Sequence, residues 1–118
     1  MRDQIHCRDV ARLFLEFYKS PKVAEVYNLG GGRANSMSIL ETIDWLAGMG
    51  FNLRYQHQAE NRIGDHICYI SDLSKVRSHF PDWRMEYDLP KIVNQIVERH
   101  LHDESAPMAG MRMGANRQ

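Results

Sequence analysis

Leu89, Ile92, Val93, Ile96 and Val97 fall at i, i+3, i+4, i+7 and i+8, the strongest helical period in the chain. Asp88 precedes the run as an N-cap, and Pro90 sits in the first turn, where a missing N–H leaves no hydrogen bond unmade. A helix with one apolar stripe has to lay it against something, and other segments of the chain carry such stripes too. Residues 9–19 place Val10, Leu13, Phe14 and Phe17 at helical spacing before Ser20-Pro21 stops them. Ser38-x-x-Glu41 is a capping box opening a helix with Ile39, Leu40, Ile43, Leu46 and Ala47 as its stripe, and Gly48 and Gly50 are its terminators. A further helix starts near Ser71 or Asp72, carries Leu73, Val76 and Phe80 on one face, and meets Pro81.

Strand signals are few and short. Glu25–Leu29 has the Val and Tyr of a strand before the glycine run, Asn52–His57 reads as a second, and Ile67–Ile70 as a third. The expectation is an α/β fold of about four helices with a few short strands, spanning residues 1–102. From Asp103 the composition turns to Gly, Met, Ala, Ser and Arg without periodicity, so 103–118 reads as a disordered tail.

Charge and composition exclude several classes. A chain of 118 residues is one domain's worth. Fifteen residues of each sign cancel, with no long basic run, which disfavours nucleic-acid binding driven by phosphate neutralisation. No apolar run is long enough to span a membrane and no basic-then-apolar leader is visible, so a soluble cytoplasmic protein is expected. Cys7 and Cys68 lack CxxC or Cys/His ligand spacing and read as free thiols, and the scattered histidines show no metal-ligand spacing.

The chemistry concentrates in Asn61-Arg62-Ile63-Gly64-Asp65-His66, followed by Ile67-Cys68-Tyr69-Ile70 and Ser71-Asp72-Leu73-Ser74-Lys75. Arg62 offers a planar fork of donors suited to a phosphate, Asp65 can accept from a ribose diol, and Gly64 permits a turn or a close backbone approach. On these residues alone, a surface turn with a local Arg–Asp pair is the better account.

Arg62-Ile-Gly-Asp65 and Asp72-Leu-Ser-Lys75 resemble the Arg-x-Gly-Asp…Asp-x-Ser-Lys signature of nucleotide-sugar epimerases and dehydratases, the extended short-chain dehydrogenase/reductases. Arg2-Asp3-Gln4-Ile5-His6 with Asp9-Val10-Ala11, Val26-Tyr27-Asn28-Leu29-Gly30-Gly31-Gly32, and Ser38-Ile39-Leu40-Glu41 resemble the same family in the same order. The wording is most similar to CDP-paratose/CDP-tyvelose 2-epimerase-like members. Pro81-Asp82-Trp83 stands where the family has Leu-Gly-Trp.

The resemblance implies a C-terminal, substrate-binding portion whose partner is a CDP- or UDP-sugar. Arg2 and Arg62 would hold the diphosphate, Asp65 the ribose, Gln4 the nucleotide, and Tyr69 would lie near the sugar, unless Tyr69 packs as a core strand residue. Asp3 and Asp9 would hold local backbone or pair with Arg2, and His6 would be a satisfied core histidine. Complete relatives use NAD and a Tyr/Lys pair to oxidise a sugar carbon and return the hydride. Gly30-Gly31-Gly32 lacks the third fingerprint glycine, since Asn35 stands there, and reads as a turn. Tyr87-x-x-x-Lys91 has the spacing of the catalytic pair, but Asp88 and Pro90 put Tyr87 before the helix and Lys91 on it, so the match reads as coincidence. No catalytic, cofactor-binding or metal residue is therefore assigned, and the chain alone is expected to be silent. Met1 reads as a truncation or internal start, with the missing N-terminal half or a homo-oligomer as partner. A stand-alone nucleotide-binding module, or a subunit docking on a separate dinucleotide-binding partner, is the alternative.

Overall fold

His6 closes an extended opening segment by capping the first helix. Its Nδ1 accepts the Arg8 N–H at 3.1 Å, and the ring stacks on Tyr87 with centroids 4.0 Å apart, so it is satisfied at the surface of the core and not inside it. The computed structural model describes residues 1–60, 63, 64 and 66–105. It contains α1 (Cys7–Lys19), α2 (Ile39–Gly48), α3 (Ser74–His79) and α4 (Leu89–Ser105), with a 3₁₀ turn at Arg33–Asn35. Two short strands, β1 (Arg2–Asp3) and β2 (Ser36–Met37), complete a small mixed α/β structure.

The helix starts follow local chemistry. Ser38 Oγ accepts the Glu41 N–H at 3.2 Å while the Glu41 carboxylate accepts the Ser38 N–H at 2.7 Å, the reciprocal capping box. Asp88 Oδ1 accepts the Lys91 N–H at 3.0 Å. Asp72 Oδ1 accepts both the N–H and the hydroxyl of Ser74, at 2.9 and 2.6 Å, so α3 begins beyond the expected Ser71 or Asp72. Among the described residues α4 runs to Ser105, three positions past the 102 boundary drawn from composition; residues 106–118 of the expected tail lie outside those described. No helix among the described residues is long and apolar enough to cross a membrane.

The core lies between α1 and the chain from Leu73 to Trp83. Leu13, Leu73, Val76, Phe80 and Trp83 are buried together, with Ile5, Tyr27, Leu29 and Met85 packed on their rim. Phe80 meets Tyr27 edge-on with centroids 5.5 Å apart. Asp9 is the polar anchor, its side chain wholly buried. Its carboxylate accepts the backbone N–H groups of Glu86 and Tyr87 at 3.0 and 3.1 Å, and its own carbonyl accepts the Trp83 indole N–H at 3.0 Å. This bracket ties α1 to the segment that leads into α4. Asp9 thus holds backbone, as anticipated, but backbone more than seventy residues away.

The expected strands at Glu25–Leu29 and Asn52–His57 do not form, and Ile67–Ile70 contributes only an isolated bridge at Tyr69. A strand exists only beside another, and none of the described residues pairs with the first two stretches. Glu25–Leu29 is instead held by Lys75, which pairs with the Glu25 carboxylate and donates to the Val26 carbonyl at 3.0 Å. Much of the stripes of α2 and α4 is exposed. α2 buries no side chain, with Ile39 79% exposed, and α4 buries Val93 while Ile96 is 63% exposed.

Candidate functional site

Residues 1–4 are the meeting point of three distant parts of the chain. β1 pairs antiparallel with β2 in the register Arg2↔Met37 and Asp3↔Ser36. On its other side Arg2 bridges Tyr69 in parallel, with Tyr69 N–H donating to the Met1 carbonyl at 3.0 Å and Asp3 N–H to the Tyr69 carbonyl at 3.3 Å. Gln4 N–H continues the pattern to the Asn35 carbonyl at 2.8 Å. Three of the residues singled out in sequence, Arg2, Gln4 and Tyr69, therefore share one backbone framework.

Asp3 fastens that framework from below. One carboxylate oxygen accepts the Gly32 N–H at 2.8 Å and the Ser71 N–H at 3.0 Å, joining the glycine turn to the chain after Tyr69. Burial pushes this carboxyl up, but the hydrogen bonds from the Ser71 and Gly32 amides and the Ser71 hydroxyl outweigh it and hold it below the usual carboxylate range. The glycines are required by this crossing. A Cβ on Gly30 would strike Ser71 and Asp3, and one on Gly31 would strike the Gln4 carbonyl oxygen. Gly32 turns the chain at φ +65°. The space a side chain would need at the first two is thus filled by the protein's own backbone and side chains.

The outward side of the framework is open. Arg2 is half-buried and Gln4 exposed, and Tyr69 is 49% exposed, which removes the reading of it as a packed core residue. The His66 ring lies 6.1 Å from the Tyr69 ring. Guanidinium, amide and phenol together offer donors to anionic oxygen and a ring face to a base or sugar. Arg62 and Asp65 lie outside the described residues, although the segment that carries them runs directly into Tyr69.

Tyr87 and Lys91 line a common shallow cleft with Met85 and Glu86, but their polar groups are engaged elsewhere. The Tyr87 hydroxyl accepts from Arg8 at 2.8 Å and the Lys91 ammonium donates to the Glu86 carbonyl at 2.9 Å. Cys7 and Cys68 are free and exposed. Sequence reasoning missed the clamp made by Asp3. Its signal was the glycine run itself, since adjacent glycines mark places where two backbones touch. Neither a protein family, nor a curated protein, nor a solved structure matches this chain.

Proposed function

We propose that this chain is the nucleotide-sugar-binding portion of an NAD-dependent epimerase or dehydratase of the extended short-chain dehydrogenase/reductase type, with a CDP- or UDP-sugar as ligand. The reading rests on the resemblance of its motifs. The observation that supports it is the pairing of Arg2 with Tyr69, two residues that the resemblance assigns to one ligand and that lie 67 positions apart. Arg2 and Arg62 neutralise the diphosphate from two segments, Asp65 accepts from the ribose, and Gln4 and Tyr69 line the nucleotide and sugar. NAD, held by a separate dinucleotide-binding half, supplies the hydride chemistry in such enzymes. This chain's own contribution is to hold the substrate, and alone it turns nothing over.

Calorimetric titration of CDP- and UDP-sugars into the chain, assembled with the N-terminal half of a complete relative, tests the proposal. Arg2→Ala and Arg62→Ala each weaken affinity by about 1.5–3 kcal/mol, the range for hydrogen bonds to a charged partner. Because they share one diphosphate, the double variant loses less than the sum. Unchanged affinity in both single variants refutes the site.

A further inference from the structure

A second cationic feature adjoins the Asp3 clamp, sharing Gly32 and Ser71 with it. Gly31, Gly32, Arg33 and Ala34 form one wall of a cleft of about 240 Å³, and Ser71, Asp72, Leu73, Ser74 and Arg77 form the other. Arg33 follows the positive-φ turn at Gly32, and Arg77 stands three residues after Ser74, on the same side of α3. Both arginines are exposed, and among the described residues neither guanidinium has an ion pair or a hydrogen bond. Elsewhere the side chains Arg8, Arg12 and Arg99 are engaged by Tyr87, by Asp9 and Glu86, and by Asp103. The one carboxylate in the cleft, Asp72, is already occupied by the Ser74 N–H and hydroxyl. Two cations face this one lining carboxylate, while Asp3 is turned to the Gly32 and Ser71 amides and satisfied by them.

We propose that this cleft binds a phosphate or diphosphate group through Arg33 and Arg77, separately from the site at Arg2. Two planar forks from different segments match the several oxygens of such an anion, and each can engage it bidentately. The volume sets the size of the ligand. About 240 Å³ is below the roughly 300–1,000 Å³ of pockets that enclose whole small molecules, so the cleft takes the anion and leaves any attached group in solvent. The Gly32 and Ser71 amides that line the cleft already donate to Asp3, so the donors left to the anion are the two guanidiniums.

The probe is inorganic pyrophosphate, titrated calorimetrically at low ionic strength into the full chain and into its Arg2→Gln form, which weakens any diphosphate held at Arg2. In both backgrounds Arg33→Gln and Arg77→Gln each weaken binding by about 10-fold or more, as expected for a charge-assisted contact. Arg84→Gln, which removes an exposed arginine outside the cleft, changes it less than about twofold, as expected for screened surface charge. CDP titrated in parallel identifies the source. Equal affinity means a free anion, whereas tighter binding that is also lost in Arg33→Gln and Arg77→Gln means the diphosphate of a nucleotide. Circular dichroism confirms that the variants keep their helices, as substitution of exposed, unpaired side chains should. The proposal is overturned if pyrophosphate does not bind in the Arg2→Gln background, if the two cleft variants bind as well as their parent, or if Arg84→Gln weakens binding equally.

Discussion

Replacing Asp9 with Ala tests the bracket on which the core depends. The wholly buried carboxylate accepts two backbone N–H groups, from Glu86 and Tyr87, and lies 3.6 Å from the Arg12 guanidinium. A hydrogen bond to a charged acceptor contributes roughly 1.5–3 kcal/mol, so the pair contributes about 3–6 kcal/mol. The variant no longer buries a charge, which returns part of that, and water can reach the Glu86 end because Glu86 is exposed. The net loss is about 2–4 kcal/mol, a large share of the roughly 5–15 kcal/mol that holds a native domain together. With a urea slope of roughly 1–3 kcal/mol per molar, the midpoint falls by about 0.7–4 M. Trp83 is the reporter, since it is buried and donates to the Asp9 carbonyl. Asp9→Asn keeps the volume and one acceptor while turning a donor toward the second amide, so it loses roughly half as much. If Asp9→Ala melts within about 0.5 kcal/mol of the parent, the size expected of a neutral surface change, the bracket does not anchor the fold.

Other consequences are checked by simple means. Asp3 is held below the usual carboxylate range, so its contribution is complete above the pKa of an unfolded aspartate, about 3.9, and is lost as pH falls through the lower folded value. Urea midpoints measured from pH 6 to pH 2 should fall in that acid window, and Asp3→Asn should flatten the fall without abolishing it, because Glu41 and Asp72 are lowered too. Gly31→Ala drives a Cβ into the Gln4 carbonyl and should cost about 1–3 kcal/mol by thermal melt, whereas Gly48→Ala, at the end of α2 with nothing near its Cβ, should be neutral or stabilise by up to about 1 kcal/mol. The exposed apolar side chains should make the purified chain bind a hydrophobic dye and self-associate in sedimentation, and the N-terminal half of a relative should suppress both; a dye-negative monomer with a sharp melt would favour a self-sufficient binding module.

The helices were legible because helix formation is written locally. The Ser38/Glu41 box and the Asp88 cap involve residues three apart, and the structure realises both. Sheet pairing is not local. β1 and β2 are two residues each, too short to show a period of two, while Glu25–Leu29 had the composition of a strand and found no neighbour. The same limit hid the roles of Asp3 and Asp9. A single acidic residue shows no pattern in sequence, and the backbone N–H groups they hold lie 29 to 78 positions away. Arg2, Gln4 and Tyr69 were reached through motif resemblance, and no periodicity could have joined residue 2 to residue 69.

The mismatch between stripes and burial follows from the same distinction. Phe14 and Phe17 continue the apolar face that buries Leu13, yet Phe14 is 65% exposed and lines an apolar hollow with Tyr27, Leu29 and Phe80. Along Glu25–Leu29, Tyr27 and Leu29 are half-buried while Val26 is 81% exposed, which is the alternation of a strand with one face packed. The less exposed apolar residues of α1 and α4 fall on the expected stripes, whereas in α2 Thr42 and Trp45 are as covered as the stripe residues Ile43 and Leu46. Sequence periodicity carried no information on what meets each face, because that depends on other segments brought alongside. A stripe such as Ile39-Leu40, at 79% and 58% exposure, shows how far the two can part. Local pattern determined the elements here, whereas the joins among the described residues come from distant partners: the Asp3 and Asp9 clamps, the β1–β2 pairing and one small aromatic-aliphatic cluster.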